Sequence, residues 1–412
     1  MQHRSKHYEN ILIGLMFLTF GTIFLDRMAQ FYLAPYIIPD LHLSNEQLGM
    51  MASVLGIAWA LSCVFFGAIS DRVGRRKILI PAIFVFSALS WLSGVVHSFG
   101  EMILVRFLLG LAEGACYSPL MATTEESSSD HRRGRNVGLV VSAASLVGTA
   151  VAPILTTQVA AHIGWRWSFF VAGVPGMILG AVIWWYVAES KGRRIVGAAA
   201  ESLRPDYREF WSLLRYRNVL LCALAASANL TSLFLYAVFA PLYITQVAQQ
   251  APTTAGFLMG AGGSGAFVAG FVLPALSDKI GRKPVLAGMA IASMLLPISL
   301  LPLGLYQHLY LLGFLQFLFS TSQAITAVVL VLIPTESVPA KFTATAIAIG
   351  TMTAEIVGST IGPALGGIIA GAYGLEPTLI MASLANIVVL GAVLGLIETR
   401  GRRARAAAVA TA

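Results

Sequence analysis

Five ionisable side chains sit inside long apolar runs of this chain: Asp26, Arg27, Arg106, Glu113 and Glu355. A charge at the centre of a bilayer costs about 3 kcal/mol on the insertion scale, so five would cost roughly 15 kcal/mol. That sum rivals the whole stability of a domain. Such groups must therefore face one another or water. The chemistry open to carboxylates and guanidiniums held away from bulk solvent is proton exchange and ion pairing.

Their depths follow from helical rise. Asp26 lies about 15 residues into its run and Glu113 about 11 residues into another, the second near the membrane middle. Arg106 precedes Glu113 by seven residues, two turns along the same helical face. Arg106 and Glu113 thus point into one space, with Arg106 near the depth of Asp26. Two arginines and two carboxylates on two helices either line a shared cavity or tie those helices together as a buried salt bridge. Glu355, on a later span, is open to three readings: a second proton site, a cation determinant, or a partner for Gln316 or Gln323. Gln30, Tyr117, Tyr236 and Gln316 are candidates to line the cavity with hydrogen-bonding groups. The histidines fall at span ends or in loops, so they are poor proton carriers.

The elements that must carry these residues are membrane helices. The 412 residues are 57% hydrophobic and 11% charged, against about 25% charged in soluble domains. Apolar runs of about 20 residues place twelve spans near 11–35, 47–67, 78–97, 102–123, 136–160, 165–188, 217–246, 254–276, 285–305, 308–333, 342–370 and 377–397. With the N-terminus inside, 24 of the 27 lysines and arginines fall on the cytoplasmic side, as the positive-inside rule requires. Both termini are expected there, and the short tails suggest a prokaryotic inner membrane. The net charge of +8 is then a topology signal; the bases are split among short turns, which argues against nucleic-acid binding. Cys63, Cys116 and Cys222 lie in apolar runs and read as inert packing residues. No nucleophile–base pair, metal cluster or phosphate loop is evident, so neither an enzyme nor a cofactor is expected.

Two patterns recur half a chain apart. Asp71-Arg72-x-Gly74-Arg75, preceded by Gly67, returns 207 positions later as Asp278-Lys279-x-Gly281-Arg282. Val147 opens VGTAVAP and Val357 opens VGSTIGP, 210 positions on. Small residues allow close helix approach, and the proline bends the helix. A doubled six-span plan is the plan of a rocking transporter. The expected division is residues 1–188 and 217–397 as two bundles, 189–216 as a cytoplasmic linker and 398–412 as a cytoplasmic tail.

Twelve spans with D-R-x-G-R-R after the second and its counterpart after the eighth resemble the major facilitator superfamily. The resemblance implies an all-α membrane fold of two pseudo-symmetric six-helix bundles. It further implies that Gly67, Asp71, Arg72, Gly74, Arg75, Asp278, Lys279, Gly281 and Arg282 form a gate brace on the cytoplasmic side. F-L-D-R at Phe24–Arg27, with Arg106 followed seven residues on by Glu113, is similar to the anion:cation symporter branch, which moves organic anions with protons. By that resemblance Asp26 and Glu113 accept protons, Arg106 tunes them, and Arg27 engages a substrate carboxylate. Phe24 replaces the branch's usual tyrosine and removes one hydroxyl, which weighs against a sugar-like substrate. The expected partners are a small organic anion, protons and lipid, and the expected state is a monomer. The rival expectation is a proton-coupled drug exporter. Such exporters carry G-x-x-x-G-P in the fifth helix, where this chain has Ala152 in place of the second glycine and the intact pattern in the eleventh.

Overall fold

The computed structural model describes residues 6–129, 131–187, 215–339 and 342–399. Residues 188–214, the bulk of the expected linker, lie outside the described residues, as do Lys341 and the tail from 400 onward. Among the described residues the chain is all helix, without a strand. Inside a bilayer only a helix or a closed barrel satisfies every backbone group, so long apolar runs must coil.

Among the described residues, twelve long helices run back and forth. They are α1 (Lys6–Tyr32), α2 (Asn45–Val73), α3 (Arg75–Ser93), α4 (Phe99–Ser127), α5 (Arg133–Ile163) and α6 (Trp165–Tyr186) in the first half. The second half holds α7 (Arg217–Val247), α8 (Pro252–Ile280), α9 (Arg282–Ile298), α10 (Leu309–Ser337), α11 (Thr345–Tyr373) and α12 (Glu376–Gly395). Ten of them are long and apolar enough to cross a membrane. The other two are α4, which carries Arg106 and Glu113 along its course, and α9, which has 17 residues. The expected ninth span, to residue 305, therefore stops early: Pro297 sits in the last turn of α9, and Pro302 leads into a short 3₁₀ turn at Leu303–Gln307. The α-helical course of α10 is interrupted between Phe319 and Ser322. Side chains tie that break to neighbouring helices: Thr321 Oγ1 donates to the Met289 carbonyl of α9 at 2.7 Å, and Asn229 Nδ2 of α7 to the Ser322 carbonyl at 3.1 Å.

The sequence repeat has a structural counterpart. Among the described residues the glycines with positive φ are Gly74 (115°), Gly164 (97°), Gly281 (130°) and Gly374 (87°). They fall at the α2–α3, α5–α6, α8–α9 and α11–α12 turns, so each turn of one half has its equivalent in the other. A side chain would be strained at such an angle, which is why glycine occupies all four. The second repeat is also conformational: both VG-containing stretches form π-helical turns, at Ala144–Val151 and Glu355–Ile361. A π turn widens a helix locally and commonly marks a functional position.

The two halves meet at the end remote from the basic loops. There Leu25, Phe31 and Leu48 of the first half share an apolar core with Leu235, Phe239 and Leu258 of the second. Small residues bring the helices close. A Cβ on Gly256 of α8 would lie 2.6 Å from the Pro153 carbonyl of α5, and one on Gly56 of α2 would lie 2.8 Å from Ser359 Oγ of α11. Ser53 Oγ reaches the Thr360 carbonyl at 2.6 Å, and Asn45 Nδ2 the Ala370 carbonyl at 3.4 Å.

Candidate functional site

The ionic residues of α1 and α4 converge. Asp26, Arg106 and Glu113 have no solvent exposure, and Arg27 has 1%. Asp26 Oδ1 accepts from the Ser90 hydroxyl of α3, which also reaches the Phe169 carbonyl at 3.0 Å. Arg106 stacks over the Phe169 ring, 4.9 Å from its centroid, within electrostatic reach of Asp26 and Glu113. Glu113 in turn feels Asp26, Arg27 and Arg106. Few of these polar atoms are hydrogen-bonded. Both Glu113 oxygens, Asp26 Oδ2 and all three Arg106 nitrogens are buried without a hydrogen-bond partner.

Arg27 is placed differently from its neighbour. Its guanidinium lies 4.4 Å from the Trp59 ring centroid, 5.5 Å from Phe234 and 5.8 Å from Phe24. Cation–π contact offsets part of the cost of a buried charge without using its N–H donors. Nε and Nη2 have no hydrogen-bond acceptor. The nearest anion to Nη2 is Glu355 Oε2 of α11, at 3.7 Å, beyond hydrogen-bond length. That ion pair crosses from one half to the other. Glu355 is half-buried and anchored by the Ser359 hydroxyl at 2.7 Å.

Of the three readings left open for Glu355, pairing with Gln316 or Gln323 is the one that the geometry corrects. Gln316 is buried and engaged within its own half: Oε1 accepts from the Tyr236 hydroxyl, and Nε2 donates to Ser299 Oγ at 2.7 Å. Gln323 instead lines a cavity with Tyr32, Thr149, Ser232, Tyr236 and Ser322. Ser322 Oγ is buried there without a partner. Tyr117 packs on Trp59, ring centroids 5.6 Å apart, and so edges the aromatic wall around Arg27. Gln30 is fully buried one turn from Asp26, with both amide atoms unpartnered.

The Major Facilitator Superfamily profile matches residues 15–359. The chain belongs to that superfamily. It is a multi-pass membrane protein and a transporter, not an enzyme. It is 28% identical, over 95% of each chain, to the 3-(3-hydroxy-phenyl)propionate transporter of Escherichia coli (strain K12). It is 27% identical to the hexuronate transporter of Bacillus subtilis (strain 168), over 77% of this chain and 75% of that one. Its fold is similar to that of a bacterial homolog of the human lysosomal transporter Spinster, with a TM-score of 0.70 at 17% identity over 95% of each chain.

The superfamily's loop motif is built twice with matching partners. Arg75 pairs with Asp71, donates to Ser70 Oγ at 2.9 Å and reaches Glu126 of α4 at 3.4 Å. Arg282 pairs with Asp278 at 2.7 Å, donates to Ser277 Oγ at 2.6 Å and holds Glu336 of α10 at 2.7 Å. Each of these ion pairs lies within one half. Arg72 and Lys279 are exposed. A Cβ on Gly67 would stand 3.2 Å from Ser118 Oγ, a tight α2–α4 approach. The serines and glutamates escaped the sequence reading, although Thr-Glu-Ser closes α10 and Thr-Glu-Glu-Ser closes α4. The second motif has one addition: Glu398 accepts from the backbone N–H groups of Arg282 and Lys283 at 2.9 and 3.0 Å. An anion there complements the start of α9.

Proposed function

We propose that this transporter carries small organic carboxylates with protons by alternating access. The observation that carries the reading is Arg27: a buried guanidinium at the seam between the halves, with two nitrogens lacking an acceptor. A desolvated cation of this kind favours an anion, and a planar guanidinium matches a carboxylate. The names of the two relatives agree with that chemistry.

Asp26 and Glu113 are the proposed proton acceptors, with Arg106 between them. A buried, unneutralised charge resists being sealed from water. The halves therefore close around the site only when its ionic inventory balances, and that requirement links anion to proton. Tyr117, Tyr236, Gln30 and Gln316 are proposed to shape the remainder of the cavity. With the basic loops in the cytoplasm, the contact of the halves at the remote end corresponds to the inward-facing state. The Asp71–Arg75 and Asp278–Arg282 loops then act as braces that keep each half rigid while it rocks. The halves themselves are proposed to be residues 1–188 and 217–397, joined by the cytoplasmic segment between them.

The test is uptake into proteoliposomes with an imposed inward proton gradient, using 3-(3-hydroxyphenyl)propionate and glucuronate as probes. Accumulation of either acid that collapses with a protonophore supports the reading. Absence of uptake and of binding for a broader panel of carboxylates overturns it.

A further inference from the structure

We infer that Glu355 is an internal stand-in for the substrate carboxylate, holding Arg27 when the site is empty and giving it up when the substrate arrives. The inference rests on the organic-anion reading of Arg27.

Three observations converge on it. First, Glu355 Oε2 faces Arg27 Nη2 at 3.7 Å, close enough to neutralise it and too far to hydrogen-bond. The donors of Arg27 thus remain open for a better-placed carboxylate. Second, Glu355 has somewhere to stay when displaced. The Ser359 hydroxyl holds its Oε2, and its side chain is 23% exposed while that of Arg27 is 2% exposed. An anion in partial contact with solvent loses less on separation than the buried cation does, so a replacement partner for Arg27 is what separation requires. Third, Glu355 begins a π-helical turn of α11, against which α2 packs with Gly56 on Ser359 of that turn. The pair therefore bridges the two bodies at the point where their close contact starts.

The groups around Glu355 come from each helix packed on it. Arg27 faces it from α1; Cys63 of α2 and Tyr117 of α4 lie within its electrostatic reach. Helix α7 presents Leu230 and Thr231 to the same turn. Arg27 is thus the one cation facing Glu355 among the described residues, with Glu113 a further acid near Cys63. Two guanidiniums are set against three carboxylates, Asp26, Glu113 and Glu355. An arriving carboxylate that takes Arg27 leaves one more unmatched anion, and a proton must accompany it to restore balance. One proton per carboxylate group follows, so a monocarboxylate should cross without net charge movement.

If the pair is formed about nine-tenths of the time, it lowers the apparent substrate affinity about ten-fold. The test is calorimetric binding of 3-(3-hydroxyphenyl)propionate and glucuronate to the purified full chain and to Glu355→Gln, at two pH values. Glu355→Asp, which withdraws the carboxylate by one methylene, serves as the second variant. The expected result is about ten-fold tighter binding to Glu355→Gln, a smaller gain for Glu355→Asp, and a shallower pH dependence in both. Net uptake should fall in Glu355→Gln while exchange persists, because the empty carrier would return with Arg27 unneutralised. Binding that is unchanged or weakened in both variants overturns the inference and leaves the organic-anion reading standing. Failure of wild type and variants alike to bind any carboxylate overturns both.

Discussion

Arg27 on α1 and Glu355 on α11 face each other at 3.7 Å across the divide between the two halves. The rings of Trp59 and Phe234 flank the same guanidinium, one from each half. A cation so enclosed is held by ring faces and by one distant carboxylate. Its donor directions remain available to a ligand.

Removal of that guanidinium tests the substrate side. Charge-assisted hydrogen bonds contribute about 1.5–3 kcal/mol each, so Arg27→Ala should weaken carboxylate binding roughly ten- to hundred-fold. Arg27→Lys should recover only part of the loss, since an ammonium cannot make a planar two-point contact. Calorimetric titration of both variants with the same acid checks this. Wild-type affinity in Arg27→Ala would remove Arg27 from the substrate site.

Glu113 tests the proton side. It is fully buried, and neither oxygen has a hydrogen-bond partner. Glutamine has the same shape and cannot exchange a proton, so Glu113→Gln should bind and exchange substrate but lose concentrative uptake. A one-unit pH gradient drives about ten-fold accumulation for each proton carried. In the variant the inside-to-outside ratio should fall to about one. Persistent accumulation by Glu113→Gln in proteoliposomes would assign the coupling to another carboxylate.

The legible part of this molecule is what periodicity and repetition encode. Twelve apolar runs, the doubled Asp-x-x-Gly-Arg turn and the doubled VG stretch fix the architecture because each is local in sequence. Helical rise also placed Asp26, Arg106 and Glu113 at compatible depths. What stayed hidden depends on rotation about helix axes and on contacts between distant helices. The chain gives the depth of Glu355 within α11, but the Arg27 pair needs the angle at which α11 meets α1. Ser90 looks like any small residue of an apolar run until α3 is packed against α1. The early end of α9 and the break in α10 depend on local chemistry that an average over 20 residues smooths away.

The two loop motifs look alike in sequence and differ in burial, which yields a stability prediction. The Arg282 side chain is 8% exposed against a Glu336 that is 16% exposed, while Arg75 and Glu126 are 18% and 26% exposed. Cutting a more buried pair leaves its partner uncompensated; exposed pairs contribute about 1 kcal/mol or less. Arg282→Ala should therefore lower the melting temperature clearly more than Arg75→Ala. Glu336→Gln should soften the effect, because an amide needs no counter-charge. Equal shifts in a thermal melt would show that the two loops are energetically equivalent despite their different exposure.

The packing of α5 on α8 makes the most direct prediction about conformational change. A Cβ on Gly263 would collide with the Thr149 carbonyl, which is backbone and cannot rotate aside. Gly263→Leu should therefore disfavour the state in which the halves meet at the end remote from the basic loops. A cysteine pair can report that state. Gly371 of α11 lies against Glu46 of α2, with a Cβ position 3.1 Å from Glu46 Cγ, near enough for a disulfide once both are cysteine. With Cys63, Cys116 and Cys222 replaced by alanine, Glu46→Cys/Gly371→Cys should cross-link rapidly under oxidation. Adding Gly263→Leu should slow the cross-link and expose both cysteines to a membrane-impermeant maleimide added from the opposite side to the basic loops. Undiminished cross-linking in the Gly263→Leu background would mean that the α5–α8 contact tolerates the added bulk and does not control how the halves close.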